Sequence, residues 1–280
     1  MVEEALFDFL TGVPGISKQW MNNRPFMTTS PVAHYSLVIP AYNEENRIKP
    51  LFDAITHFDG ELIVVCDGED GTADIVDQIA AYRPDLTIRC LRFDHRLGKG
   101  GGVIAGLQTA SFPLVGYFDA DGSTSIDEMK RLFLMLSTFD GAIGSRWKSG
   151  ANIKVRQNIL RQHESRSFNL IIRILFGLHY QDTQCGAKVF KKSAIDAVLP
   201  KMVSQGFEFD VELLWRLWQG GYRVIEVPIE WQNTVFQSFF VRSLSGNEDF
   251  KKSHFFKSPK KRFSVASHLS FQSSDARVID

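Results

Sequence analysis

Four short runs rich in β-branched and aromatic residues alternate with segments of helical periodicity, and this alternation constrains the fold most. The runs are YSLVIP, ELIVVCD, TIRCLRF and LVGYFDAD, and they lie between residues 35 and 121. Helices are predicted between and after them over residues 44–58, 72–82, 101–110 and 125–139. Strands that alternate with helices predict an α/β fold whose mostly parallel sheet is covered on both faces.

The second half of the chain is less regular. It offers GAIGSR, AKVF and RVIEVPIEW as strands, an amphipathic segment over residues 156–177, and the helix FDVELLWRLWQ. We therefore predict a lead-in over residues 1–33, an α/β domain over 34–231 and a tail over 232–280. The tail contains FKKSHFFKSPKKRF, and this mixture of bases and aromatics predicts either association with a membrane surface or a solvated segment.

Composition excludes several classes of protein. The 280 residues are 44% hydrophobic, enough for one large domain or two small ones, and their formal net charge is zero. No global field therefore attracts nucleic acid, and no nucleic-acid recognition motif is present. The three cysteines, Cys66, Cys90 and Cys185, form no CxxC pair, which is typical of reduced thiols in the cytosol.

A membrane crossing is not expected. No secretory leader is recognisable, and the longest apolar run, LIIRILFGL over residues 170–178, contains Arg173 and falls short of the ~20 residues that span a bilayer. We expect a cytoplasmic protein that meets the cytoplasmic face of a membrane peripherally. A separate membrane subunit that anchors it is left open.

Two carboxylates follow the fourth strand. Residues i and i+2 of a strand share a face, so Asp119 and Asp121 are expected to point the same way just past the carboxyl end of the strand. Ligands of open α/β sheets collect at that end, and two carboxylates with open positions suit Mg²⁺ or Mn²⁺. The alternative is an acidic turn that caps the next helix. A calcium loop is excluded, because Thr124 and Lys130 stand where it needs Gly and Glu.

Three other loops end or follow strands at the same predicted edge. In IPAYNEE, Pro40 is expected to end the strand pairing, Tyr42 to flank a planar base and Glu44 to accept hydrogen bonds from ribose or base. In CDGEDGTADI, Asp67 can accept an N–H from a base, and in RLGKGGGVIAG the backbone N–H groups beside Lys99 can face an anion. The alternatives are that Asn43 or Glu44 merely opens the next helix and that Asp67 forms a turn followed by a Thr72 cap. Their conjunction at one crevice points to a nucleotide diphosphate with a divalent ion.

The order of these motifs resembles that of the family 2 glycosyltransferases, and within them the dolichyl- and polyprenyl-phosphate glucosyl- and mannosyltransferases. The resemblance runs from about Tyr35 to Trp231 and rests on VIPAYNEENRI, CDGEDGTADI, RLGKGGGVIAGL, FDADGSTSIDE, GSRW, DTQCGAKVF and FEFDVELLWR. The string DTQCGAKVF is especially similar to the dolichyl-phosphate glucosyltransferase branch. The resemblance implies a GT-A type fold with a Rossmann-like sheet and a less regular, acceptor-binding second half.

The resemblance also implies roles for individual residues. The nucleotide is held by Pro40, Tyr42, Glu44 and Asp67, with Lys99 beside it, and the Mg²⁺ or Mn²⁺ by Asp119 and Asp121, with Ser123 where some relatives place a further ligand. The acceptor phosphate is held by Arg146, Arg161 and Ser165. Arg161 and Ser165 are four residues apart and so share a helix face, and Arg suits phosphate, although a solvated helix face is the alternative. Asp210 is expected to bind a sugar hydroxyl, with a helix cap as the alternative.

The implied reaction moves a hexose from a UDP- or GDP-sugar to dolichyl or polyprenyl phosphate. A lipid phosphate already carries a nucleophilic oxygen, so positioning suffices, and in-line attack inverts the anomeric carbon. Two departures matter. Cys66 stands where the family often has Asp, and Gln232, Asn233 and Thr234 stand where the mannosyl branch carries an Arg, which favours glucose over mannose. The second hypothesis is a family 2 glycosyltransferase that acts on a soluble acceptor. A hypothesis from a different functional class is a protein that binds a nucleotide sugar without turnover.

Overall fold

A seven-stranded sheet organises the part of the chain that the computed structural model describes, residues 34–153 and 176–231. Its strands are β1 (Tyr35–Ala41), β2 (Gly60–Cys66), β3 (Thr87–Arg92), β4 (Leu114–Tyr117), β5 (Gly141–Ser145), β7 (Lys188–Lys191) and β8 (Val224–Pro228). A separate two-stranded ribbon pairs β6 (Asn152–Ile153) with β9 (Glu230–Trp231). The helices are α1 (Ile48–Asp53), α2 (Thr72–Tyr82), α3 (Gly98–Thr109), α4 (Ile126–Leu134), α5 (Lys192–Val198) and α6 (Phe209–Gln219), with 3₁₀ turns at Met135–Ser137 and Leu199–Lys201.

The strand order is β3-β2-β1-β4-β7-β5-β8. All neighbours run parallel except β7, which is antiparallel to both β4 and β5. The predicted mostly parallel α/β sheet is thereby confirmed. Because parallel strands end at the same edge, β1, β2 and β4 bring their following loops together at one carboxyl edge.

The central strands are buried on both faces. Leu37, Val38 and Ile39 of β1 and residues 62–65 of β2 have no exposed surface, as continuous apolar runs in a parallel sheet predict. Helix α3 packs directly on β1 through Gly106, where an added Cβ would lie 2.4 Å from Cγ1 of Val38. This close approach explains why residue 106 is a glycine, despite the poor helix propensity of that residue.

The first helix is shorter than the predicted 44–58. Residues 45–47 form a turn in which the N–H of Ile48 donates to the carbonyl oxygen of Glu44 at 2.8 Å. The free N–H groups of Glu44 and Glu45 donate to Thr72 Oγ1 at 2.8 Å and to Asp70 Oδ2 at 3.1 Å. At the other end, Arg83 donates to the carbonyl oxygens of Phe52 and Ile55, which satisfies acceptors where the helix stops. By contrast, α4 begins after Ser125, whose Oγ accepts the N–H of Glu128 as the capping sequence predicts.

A buried carboxylate links the strands near their amino-terminal ends. Glu61 of β2 accepts hydrogen bonds from Ser36 Oγ and from the N–H of Ser111, both at 2.6 Å, and from Arg89 Nη1 at 2.7 Å. Burial alone would raise the pKa of Glu61, but the hydrogen bonds from Ser36 and Arg89 outweigh it and lower that pKa. This network joins β1, β2 and β3 at the edge opposite the motif-bearing loops.

The predicted strand RVIEVPIEW is divided at Pro228, so that its first part joins the main sheet and its last two residues form β9. The boundaries predicted at residues 33/34 and 231/232 stay predictions. The amphipathic segment predicted over 156–177 lies almost wholly outside the described residues, as do the lead-in and the tail. In the described residues, no helix is both long and apolar enough to span a bilayer.

Candidate active site

The loops that follow β1 and β2 are tied together at the carboxyl edge of the sheet. Asn43 adopts a φ of 54° and its Oδ1 accepts the N–H of Glu69 at 3.0 Å. Asn and Asp tolerate this left-handed conformation better than other side chains. The loop after β1 is thus held against the loop after β2, and Glu44 faces the loop that carries Asp119 and Asp121.

Asp119 forms an ion pair with a lysine from the glycine-rich helix. Lys99 Nζ lies 2.8 Å from Asp119 Oδ1 and 4.0 Å from Asp210 Oδ2. Burial would raise the pKa of Asp119, yet the ammonium of Lys99 outweighs it and keeps that pKa below its usual range. The same carboxylates raise the pKa of Lys99 against its burial. Both groups are therefore charged at neutral pH.

The acidic pair lies in a loop, because β4 ends at Tyr117. Asp119 and Asp121 therefore lie beyond the strand and do not share a strand face, contrary to the prediction. Asp121 Oδ1 accepts the N–H of Ser123 at 2.9 Å, a bond that the alternative interpretation as an acidic turn predicts. Both aspartates nevertheless act on Glu44: its burial, followed by repulsion from Asp121 and Asp119, raises the pKa of Glu44 to about 7 despite the neighbouring Arg47.

These carboxylates fit an oxygen-preferring divalent ion. Carboxylates that repel one another lose that repulsion when they share a cation, and Mg²⁺ and Mn²⁺ favour oxygen ligands with several sites left to water or phosphate. Among the described residues, Glu44 Oε2 is buried against Arg47 Nε without hydrogen-bond geometry to any partner. No group of three or more acidic, His or Cys side chains in these residues is prearranged as a complete ligand set. A divalent ion held by these carboxylates would keep open coordination positions for water or phosphate oxygens.

Gly186 lies directly against Asp119. A Cβ at residue 186 would be 2.0 Å from Asp119 Oδ2 and 2.4 Å from Cγ. Gly186 belongs to the loop 182–187 before β7, which crosses over the carboxylate and leaves room for hydrogen alone. The loop therefore restricts the position of the Asp119 carboxylate.

Asp210 and Glu212 in the first turn of α6 face different partners. Asp210 is buried, and its Oδ1 accepts hydrogen bonds at 2.6 Å from both Tyr117 Oη and Lys188 Nζ. Glu212 accepts the N–H groups of Val203 and Ser204 and so binds the preceding loop. Asp210 is thus the one of the two that faces Lys99.

Arg146, which follows β5, is held by a fully buried carboxylate. Its Nε and Nη2 donate to Asp182 Oδ2 and Oδ1 at 2.8 and 2.9 Å, and its N–H donates to the same side chain at 3.0 Å. The guanidinium also lies 5.8 Å from the Trp147 ring centroid and 5.6 Å from that of Trp231. Burial opposes the charge of Arg146, but Asp182 outweighs it and raises the pKa of Arg146.

Asp67 is bound to the helix that follows β3. Its Oδ2 accepts the N–H of Leu97 at 2.8 Å and that of Gly98 at 3.1 Å. Two N–H groups of the glycine-rich segment, those of Leu97 and Gly98, therefore face the carboxylate of Asp67. This side chain caps α3 and so helps to place Lys99.

Tyr42 and Pro40 flank this arrangement. Tyr42 is 42% exposed, and the guanidinium of Arg96 lies 4.3 Å from its ring centroid, which marks an open aromatic surface able to stack on a planar group. Pro40 does not end the pairing as expected, because β1 continues to Ala41 with Pro40 opposite Val65. Since β4 pairs with β1 only as far as Val38, Pro40 has one neighbouring strand to satisfy and its missing N–H is tolerated.

The comparison with protein families decides the class. The model of glycosyl transferase family 2 matches residues 36–199. The chain belongs to this family.

Two curated relatives extend the match. A dolichyl-phosphate beta-glucosyltransferase of Trichomonas vaginalis is 36% identical over 228 residues, which cover 74% of this chain and 67% of the relative. Glycosyltransferase AglD of Haloferax volcanii is 32% identical over 220 residues, which cover 75% of this chain but only 35% of that longer protein.

A solved structure supports the fold. Glucosyl-3-phosphoglycerate synthase from Mycobacterium tuberculosis, crystallised with Mn²⁺, UDP and phosphoglyceric acid, aligns with a TM-score of 0.53 at 19% identity, covering 72% of this chain and 71% of that one. This likeness concerns the fold, and it confirms the GT-A type architecture.

The structure of this glycosyltransferase brings most of the predicted site residues to one edge. Those gathered there are Tyr42, Glu44, Asp67, Lys99, Asp119, Asp121, Ser123 and Asp210. Arg161 and Ser165, the other predicted acceptor residues, lie outside the described residues. The individual residues Asp182, Gly186 and Lys188 have no role predicted from the sequence, although all three belong to DTQCGAKVF. Lys188 stands between apolar residues of a predicted strand. Because an unpaired buried lysine is very costly, this position indicates that a carboxylate elsewhere in the chain pairs with it.

Proposed function

We propose that this protein transfers glucose from UDP-glucose to dolichyl or polyprenyl phosphate, with inversion at the anomeric carbon and with Mg²⁺ or Mn²⁺. The observation that carries the proposal is the meeting of Lys99, Asp119, Asp121 and Glu44 at the carboxyl edge of a family 2 glycosyltransferase sheet. The Trichomonas vaginalis relative, named a dolichyl-phosphate beta-glucosyltransferase, supports the choice of sugar and acceptor.

The donor is held by charge on both sides of its diphosphate. Asp119 and Asp121, with Ser123 beside them, would hold the divalent ion, which would neutralise the charge of the leaving diphosphate. Lys99 supplies a second cation at the same place. Tyr42 stacks on the base, while Glu44 and the remaining oxygen of Asp67 accept hydrogen bonds from the nucleoside, with Pro40 forming the wall of this pocket.

The acceptor needs positioning rather than activation. Its phosphate oxygen is already ionised at neutral pH, so no general base is required. Arg146 orients this phosphate with the guanidinium edge that Asp182 leaves open, together with Arg161 and Ser165. Asp210 binds a sugar hydroxyl and fixes the anomeric carbon for in-line attack.

The lipid acceptor requires a membrane. We assign the catalytic domain to residues 34–231, the lead-in to 1–33 and a membrane-binding role to 232–280, whose bases each contribute on the order of 1 kcal/mol near an anionic surface. The protein then works peripherally on the cytoplasmic face, alone or with a membrane-anchoring subunit.

A product assay tests the proposal. The purified full chain is incubated with Mn²⁺ or Mg²⁺, polyprenyl phosphate in detergent, and either UDP-glucose or GDP-mannose. We expect lipid-linked glucose from UDP-glucose, lost on chelation and in Asp121→Asn. The matched control is Asp127→Asn, because Asp127 is an exposed aspartate of the same loop region, in the first turn of α4.

Other outcomes would revise the proposal. Lipid-linked mannose from GDP-mannose alone would change the donor. Metal-dependent binding of UDP-glucose with no lipid product would contradict the lipid acceptor and favour a soluble one.

A further inference from the structure

We propose that Lys188 is a positioning residue for glycosyl transfer: it fixes Asp210 so that the outer carboxylate oxygen of Asp210 faces the donor sugar. This inference rests on the proposed function and deepens it. It gives the lysine of DTQCGAKVF a role in the reaction that is separate from the stability of the sheet.

Lys188 occupies a place where lysine is costly. It begins β7, where it lies opposite Tyr117 of β4 and Ile143 of β5, and it has no exposed surface. Its ammonium donates to the carbonyl oxygen of Cys185 at 2.5 Å and to Asp210 Oδ1 at 2.6 Å, and it lies 5.4 Å from the centroid of the Tyr117 ring. A buried ammonium is tolerated only when it is paired in this way. The negative charge that pairs with the Lys188 ammonium is the carboxylate of Asp210.

The two oxygens of Asp210 are treated differently. Oδ1 accepts from both Lys188 Nζ and Tyr117 Oη at 2.6 Å, whereas Oδ2 lies 4.0 Å from Lys99 Nζ. Two donors on one oxygen fix the carboxylate plane, since rotation would break both bonds. Oδ2 is thereby aimed at the cluster formed by Lys99 and Asp119.

The charges of this group also balance. Lys188 and Lys99 carry two positive charges, and Asp210 and Asp119 carry two negative ones, linked in the order Lys188, Asp210, Lys99, Asp119. Without Lys188, Lys99 would be the nearest cation to both carboxylates. Asp210 Oδ2 would then close the 4.0 Å gap to Lys99 Nζ and turn away from the donor sugar. Lys188 therefore leaves Asp210 Oδ2 available to the sugar.

The test compares Lys188→Met with Lys188→Arg and measures affinity for UDP-glucose and for UDP with Mn²⁺ by calorimetry. A methionine keeps the length and loses the charge. We expect Lys188→Met to weaken UDP-glucose binding, kcat or both by roughly 10-fold to 100-fold, the value of one charge-assisted hydrogen bond. UDP binding is expected to change less than about 2-fold, because UDP lacks the sugar that Asp210 holds. Lys188→Arg is expected to recover part of the loss.

The matched control is Lys191→Met. Lys191 lies in the same strand and also pairs with an aspartate, Asp140 Oδ1 at 2.9 Å, but at a half-exposed position away from the site. We expect its binding and transfer to stay at the wild-type level. A loss in Lys191→Met equal to that in Lys188→Met would show that any broken pair in β7 is enough, and it would overturn the inference.

A second variant, Tyr117→Phe, keeps the inference testable even where Lys188→Met folds poorly. Tyr117→Phe removes the other donor to Asp210 Oδ1 without a change of shape and is expected to lower transfer by a smaller factor. If Lys188 acts through Asp210, then Lys188→Met in an Asp210→Asn background will cost little further activity. Full additivity of the two losses, or equal weakening of UDP and UDP-glucose, would refute the positioning role.

The two proposals fail in different ways. Wild-type protein that forms no lipid-linked glucose contradicts the proposed function. Wild-type protein that forms it, with a Lys188→Met variant that binds UDP-glucose and turns over normally, contradicts only the role of Lys188.

Discussion

The substitution Gly186→Ala is expected to remove most of the transfer activity while leaving the fold in place. The added Cβ would lie 2.0 Å from Asp119 Oδ2, 2.4 Å from Cγ and 2.8 Å from Oδ1. Real Cβ contacts are essentially never shorter than 3.0 Å and are ordinary from 3.4 Å, so the carboxylate and residue 186 must move apart by about 1.0 to 1.4 Å. That shift would break the 2.8 Å pair with Lys99 and displace a proposed metal ligand.

The size of the effect follows from this displacement. A misplacement of about 1 Å at a reacting group costs on the order of 100-fold in rate, so kcat/KM is expected to fall by at least that factor. Overpacking of this kind costs roughly 1–3 kcal/mol of stability, which a domain of this size tolerates. The concentration of Mn²⁺ needed for half-maximal activity is expected to rise, because Asp119 no longer lies in its native position.

The assay measures lipid-linked glucose against the concentrations of UDP-glucose and Mn²⁺, with thermal unfolding as the check on folding. Gly102→Ala is the control, because its Cβ would meet Pro40 Cβ at an ordinary 3.6 Å inside α3. Alanine there is expected to leave activity unchanged and to stabilise the helix by up to about 1 kcal/mol. A Gly186→Ala enzyme with kcat/KM within 2-fold of wild type and the same Mn²⁺ dependence would refute the steric argument.

Two further substitutions test the buried charges. Glu61→Gln is expected to lower the free energy of unfolding at pH 7 by about 2 kcal/mol, since a charge-assisted bond to Arg89 is lost. Because the native fold lowers the pKa of Glu61, this stabilisation is complete above the unfolded pKa of about 4.5 and is lost as the pH falls through the folded pKa. Urea unfolding in which wild type and Glu61→Gln differ in unfolding free energy by the same amount at pH 7 and at pH 3 would contradict this prediction. Asp182→Asn leaves the charge of Arg146 buried without its partner, so it is expected to lower the free energy of unfolding by roughly 3 kcal/mol and to raise the acceptor KM. The control Asp140→Asn, at the surface, is expected to lower it by less than about 1 kcal/mol. Equal losses of unfolding free energy in the two variants, measured by urea unfolding, would argue against the buried pair.

Local patterns predicted the layers of the fold and the class of the site. The α/β alternation gave α2 its observed bounds of Thr72–Tyr82 and placed the first four strands. It made α1 too long, because the distant side chain of Arg83 binds the carbonyl oxygens of Phe52 and Ile55 where the helix stops. It also failed for Pro40, since the number of strands that pair with β1 at that point is a property of the whole sheet.

The sequence by itself determined which chemical groups follow each strand and therefore that acidic and basic side chains would collect at one edge. Only the tertiary structure decided how they pair: Lys99 with Asp119, Lys188 with Asp210 and Arg146 with Asp182. These partners are 20 or more residues apart along the chain, and periodicity reports burial over a few residues without naming a distant partner. The position of Gly186 against Asp119 is also decided by the tertiary structure alone. A contact that excludes a single methyl group exists only once the loop before β7 is packed over the sheet edge.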